Sequence, residues 1–216
     1  MENQENERKL TKAEAERAER FAKLSEELES EGYRRQDLTV SSTKANLLGI
    51  AEGMAVASPF MIVFMILKGF GTGSPSGIEM LIAAAAFIAG IVVHELLHGL
   101  GWVFFTKGKL RSIAFGVVWQ ALTPYCTCKE ALKKGQYILG LVLPLIVLGF
   151  IPSIIACVNG SVILLGYGVL LTASAGGDIL VLTQILKTKF KGEVLFVDHP
   201  TEIGLAAFVK EDTASN

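Results

Sequence analysis

Four long apolar runs, separated by polar text, divide this chain. They cover about Ala45–Leu67, Gly77–Phe105, Tyr137–Val158 and Ser161–Leu186, each long enough to cross the hydrocarbon of a bilayer as a helix. The pattern predicts an all-α polytopic membrane protein with four transmembrane helices (residues 45–186), preceded by a cytosolic segment (1–44) and followed by a cytosolic tail (187–216). Pro59 marks a kink in the first run, and the third contains Pro144 and Pro152. Between Thr11 and Ser30 there is no Gly or Pro, and Ala, Glu, Lys, Arg and Leu dominate, which predicts a charged helix ending near Gly32. Phe21, Leu24 and Leu28 draw a narrow apolar stripe along it. Two readings stand: the stripe docks on the membrane or a partner, or the helix is simply solvated. The loop from Thr106 to Gln136 reads as a small strand-containing unit, with strands at Ile113–Gln120 and Ala121–Thr127 forming a hairpin. Short strands are also expected at Leu38–Val40 and Val194–Val197.

Charge orients this arrangement. Nine of the twenty Lys and Arg precede the first run and one follows it; six lie between runs two and three, none between three and four, and four in the tail. Positive charge collects on the cytosolic side, so the alternation predicts four spans with both termini in the cytosol. The net charge of −1 points to no nucleic acid. Three cysteines suggest no disulfide framework. The charged N-terminal text has no signal-peptide pattern, so the first span is expected to direct insertion.

The chemistry lies in the second run. Leu81–Val93 leads directly into His94-Glu95-Leu96-Leu97-His98. Ionisable groups inside an apolar span are costly and mark function. Positions i and i+4 share a helix face, so both imidazoles can reach one metal ion, with Glu95 beside them as base. His98 lies eight residues before Thr106, and Asp178 nine before Lys187. At ~1.5 Å per residue both sit about 12–14 Å inside the cytosolic boundary. His94, His98 and Asp178 would supply the three protein ligands of a Zn²⁺ site with one open position. Glu52, about seven residues into the first span, falls in nearly the same layer. It is an alternative ligand or a partner to a histidine N–H. His199 is the other candidate ligand, and it would have to fold back from the tail. Ser174 shares a helix side with Tyr167 and Asp178. Cys126 and Cys128 read as reduced thiols on a strand.

The text HELLHGLGW inside a span, then a loop with Tyr125-Cys126, a Pro-bearing span and a span with Gly-Gly-Asp, resembles the membrane zincin peptidases long filed as a family of unknown function. More distantly it is similar to the site-2 protease class of intramembrane zinc metalloproteases. The resemblance covers roughly residues 40–205 and implies a zinc pair at His94 and His98, a base at Glu95 and a third ligand at Asp178. Asp178 is followed by Ile179, where site-2 proteases have glycine. The implied function is hydrolysis of membrane-protein or peptide substrates, near the cytosolic face, by an integral protein of a bacterial cytoplasmic membrane. The alternatives are a non-catalytic metal-binding sensor or scaffold, and a small ion or metal transporter. No internal repeat favours the transporter.

Overall fold

The computed structural model describes residues 11–69, 75–118 and 123–211. Its elements run α1 (Lys12–Ser30), β1 (Arg34–Val40), α2 (Ser42–Lys68), α3 (Gly77–Val103), β2 (Ile113–Val118), β3 (Thr123–Cys128), β4 (Leu132–Lys133), α4 (Lys134–Pro144), α5 (Ile151–Asn159), α6 (Val162–Ser174), α7 (Gly176–Lys187), β5 (Glu193–Asp198) and β6 (Ile203–Lys210). A π-helical stretch, Leu145–Phe150, joins α4 to α5. Three helical stretches are long and apolar enough to cross a membrane: 44–68, 77–103 and 134–159. The fourth expected span is not one straight helix. It is the pair α6 and α7, bent by 53° at the single residue Ala175 between them.

Small residues set that bend. A Cβ on Gly176 would lie 2.0 Å from the carbonyl oxygen of Gly49, so the backbones of α2 and α7 touch there. Gly53 meets Ala173 in the same way, with 2.7 Å from a built Cβ to the Ala173 oxygen. Close approach through small residues is the usual means of helix association in lipid. Gly176→Ala is therefore expected to destabilise the fold by about 1–3 kcal/mol, since backbone cannot give way as a side chain can. Gly177→Ala, where nothing lies within 4 Å of the new methyl group, should be nearly neutral. Thermal unfolding of the two variants in detergent checks the contrast; equal midpoints would refute it.

The expectation of an all-α fold needs correction. β1, β6, β5 and β4 form a four-stranded antiparallel sheet in that order, and β2 and β3 form a separate hairpin. The hairpin was expected, although Gln120 and Ala121, where its two strands were to meet, lie outside the described residues. The four-stranded sheet draws one strand from the N-terminal segment, one from the loop before α4 and two from the tail. It forms a middle layer. Leu205, Ala207 and Phe196 pack on one side with Trp102, Tyr137, Leu141, Val181 and Ile185 of the helical bundle. Ala206, Phe208 and Val197 pack on the other with Phe21 and Leu28 of α1. Side chains alternate across a strand, so a strand covered on both faces is apolar throughout. The helix α1 is thus not free in solution: its apolar stripe docks on the protein's own sheet. A capping box of Thr11 and Glu14 starts it.

Candidate metal centre

The site is built from α3, α4 and the start of α7. A capping box of Ser76 and Glu79 starts α3. Its buried side presents Gly90, His94, His98, Gly101 and Trp102. A Cβ on Gly101 would lie 2.5 Å from the Cα of Gly140, so α3 and α4 are in backbone contact. A Cβ on Gly140 would lie 2.0 Å from Trp102 Nε1, so only glycine fits.

That contact orients His98. Its Nδ1–H donates to the Gly140 carbonyl at 2.9 Å. In a regular helix this carbonyl would take the N–H of residue 144, but residue 144 is proline and has none. Pro144 thus leaves the Gly140 oxygen open to the histidine. With the proton fixed on Nδ1, Nε2 of His98 carries a lone pair.

The lone pair points into a cluster. His98 Nε2 lies 3.1 Å from His94 Nε2 and 3.4 Å from Asp178 Oδ1, and His94 Nε2 lies 3.0 Å from Asp178 Oδ2. Ligand atoms ~2.0–2.1 Å from a tetrahedral zinc stand roughly 3.3 Å apart. The observed separations match that spacing, and two imidazole nitrogens facing each other need a cation or a proton between them. Among the described residues, these three form the group of His, Cys, Asp or Glu able to hold a metal ion. Asp178 sits in the first turn of α7, just past the bend. There the unpaired N–H groups and the helix dipole favour a carboxylate. The bend therefore does two things: it points a helix N-terminus at the site and places the carboxylate there.

Glu95 is one residue along α3 from the metal-donor trio and outside it. Its half-buried carboxylate accepts a hydrogen bond from the backbone N–H of Cys126 in β3. Glu95 and His94 line a cleft of about 230 Å³ with Ile91, Thr123, Pro124, Leu171 and Ser174. The cleft thus brings together an apolar wall, the Glu95 carboxylate and His94.

Residues 87–191 match the family model DUF3267, described as "Putative zincin peptidase". No curated protein and no solved structure matches the chain. The zincin-matched segment includes both histidines, Glu95, the hairpin and Asp178. It leaves out α1, β1, α2 and the β5–β6 pair.

The other candidate residues lie elsewhere. Glu52 is not part of the trio; its Oε2 accepts from the Thr183 hydroxyl at 3.1 Å. His199 occupies the turn after β5. Its Nδ1 accepts the Glu202 N–H at 2.9 Å, and its ring lies 5.6 Å from that of Phe21. Ser174 lines the cleft, with its hydroxyl donating to the Leu170 carbonyl at 2.8 Å. Cys126 and Cys128 sit on β3 as expected. Burial pushes the Cys128 thiol up to about 12 and raises that of Cys126, so both stay protonated near neutral pH. Sequence reasoning missed Gly140, Pro144, Trp102 and the backbone of Cys126. One signal was available: a glycine followed four residues later by a proline marks a free carbonyl inside a helix.

Proposed function

We infer that the protein is a zinc metallopeptidase of the membrane, which hydrolyses peptide bonds of membrane-associated substrates near the cytosolic face. One observation carries this reading: His94, His98 and Asp178 converge at metal-ligand spacing beside Glu95, within the segment that matches the zincin model. His94, His98 and Asp178 would hold the zinc, which would supply Lewis acidity for a peptide carbonyl and for a water. Glu95 would act as the base, taking a proton from the attacking water and returning it to the leaving amine nitrogen. The Cys126 N–H holds the Glu95 carboxylate toward the cleft while the proton is shared. Ile91, Leu171 and Pro124 exclude bulk water from the peptide.

The substrate must be extended, because a helical span hides its amides. The edge of β3 that faces away from β2 borders the cleft at Thr123 and Pro124. On that edge Pro124 has no N–H and the Cys126 N–H goes to Glu95, so an extended peptide lying there would donate to strand carbonyls instead of accepting from the strand. The orientation rests on the Lys and Arg distribution, which puts His98 and Asp178 nearer the cytosolic boundary.

The test uses full-length protein reconstituted in liposomes with membrane-anchored peptide reporters. The purified chain is expected to hold one zinc per molecule and to cleave a reporter. A chelator should remove both properties, and added zinc should restore both. Zinc bound without cleavage of any reporter would favour a sensor or scaffold instead.

A further inference from the structure

Asp198 ends β5, outside the segment that matches the zincin model. It is half-buried, and two elements that lead to the metal centre both end on it. Its Oδ1 accepts the Tyr137 hydroxyl of α4 at 2.6 Å, and its Oδ2 accepts the Cys128 N–H of β3 at 2.9 Å.

The first line runs through α4. Tyr137 lies one turn before Gly140, the residue whose carbonyl orients His98. The Tyr137 carbonyl also accepts the Trp102 indole N–H at 3.0 Å. Trp102 stacks on Tyr137 on one side and on the His98 ring on the other, with centroids at 5.5 and 5.4 Å. The second line runs through β3. Cys128 and Cys126 are two residues apart, so their N–H groups leave the same edge of the strand, away from β2. One goes to Asp198 and the other to Glu95.

We propose that Asp198 is a positioning residue that sets His98 and Glu95 relative to each other, by clamping α4 and β3 to the cytosolic sheet. The proposal rests on the metallopeptidase reading of the centre. A carboxylate suits the task because it accepts on both oxygens, whereas an amide presents a donor to one of two donors. A charged or strongly hydrogen-bonded acceptor also holds its partners more tightly than a neutral one. Loss of the clamp frees Gly140 and Trp102 to shift against His98, and β3 to shift against Glu95.

The test is Co²⁺ binding by the full chain in detergent, read from the visible absorption of the bound ion and from chelator competition. Tyr137→Phe keeps the ring between Trp102 and Phe196 and removes only the hydroxyl; Asp198→Asn removes one acceptor. Each is expected to weaken Co²⁺ binding roughly 10–100-fold, as outer partners of metal ligands do, and to alter the absorption band. Leu28→Ala, in the packing between α1 and the sheet, serves as a control for general loss of stability. It should lower the unfolding temperature without changing affinity or band. Unchanged affinity and band in Tyr137→Phe would overturn the clamp alone. So would an equal loss of affinity in Leu28→Ala. Failure of the wild-type chain to bind Co²⁺ or Zn²⁺ would overturn the metal-centre reading and the clamp with it. Should Asp198→Asn fail to fold, Tyr137→Phe still decides.

Discussion

Glu95→Gln is expected to keep its zinc and to lose cleavage by about 10²–10⁴-fold, the contribution of a well-placed general base. The glutamine has the same shape and can still accept the Cys126 N–H through its amide oxygen. What it cannot do is take a proton. Zinc should remain, because the donor atoms are His94 Nε2, His98 Nε2 and an oxygen of Asp178, and Glu95 is outside that group. Parallel measurement of zinc content and reporter cleavage separates the two effects. Cleavage at the wild-type rate would sink the proposed mechanism. Loss of zinc along with cleavage would instead make Glu95 part of the metal shell.

Asp178→Ala should have the largest effect on the metal itself. It removes one of three protein donors and leaves two imidazole nitrogens 3.1 Å apart with no carboxylate facing them. Zinc affinity should fall by more than the ~100-fold that a change in an outer partner costs. Glu52→Ala should bind zinc as the wild type does, since Glu52 pairs with Thr183 rather than with either histidine. Chelator competition on the two purified variants checks this contrast. A loss of affinity in Glu52→Ala with none in Asp178→Ala would reverse the assignment of the third ligand.

Much of the site was legible in the chain because it depends on depth, and depth follows from counting. The rise per residue and the Lys and Arg boundaries put His98 and Asp178 in one layer before any packing was known. Counting cannot tell around which side of a helix a group faces its neighbours. Glu52, placed in nearly the same layer by counting, faces Thr183, because the contacts Gly49–Gly176 and Gly53–Ala173 turn its side of α2 that way. The bend at Ala175 was hidden for a similar reason: the run from Val162 to Lys187 is apolar on both sides of it, and hydropathy does not register a change of direction. The two Gly residues after the break were read as room beside a carboxylate, which they provide, but they also mark a helix start.

Of the four-stranded sheet, β1 and β5 contain the strands expected at Leu38–Val40 and Val194–Val197, and β4 and β6 were illegible. β4 is two residues long, and the pattern of β6, with four consecutive buried residues from Leu205 to Phe208, resembles neither an alternating strand nor a span. That pattern arises because α1 covers one face and the bundle the other. The apolar stripe of α1 was visible in Phe21, Leu24 and Leu28, but a stripe does not name its partner. His199 was noticed for its imidazole, whereas the preceding residue, Asp198, makes the hydrogen bonds that reach toward the site.

The register of β1 against β6 has a consequence for how the molecule is made. Arg34 pairs with Val209 and Val40 with Ile203, so β1 stays unpaired on its β6 side while all the intervening helices are synthesised. Contacts this distant in sequence form late. Asp198 arrives in the same late segment. His94, His98 and Asp178 are thus all made before the strand pair β5–β6 that packs against their helices, so the cluster precedes its support in the order of synthesis.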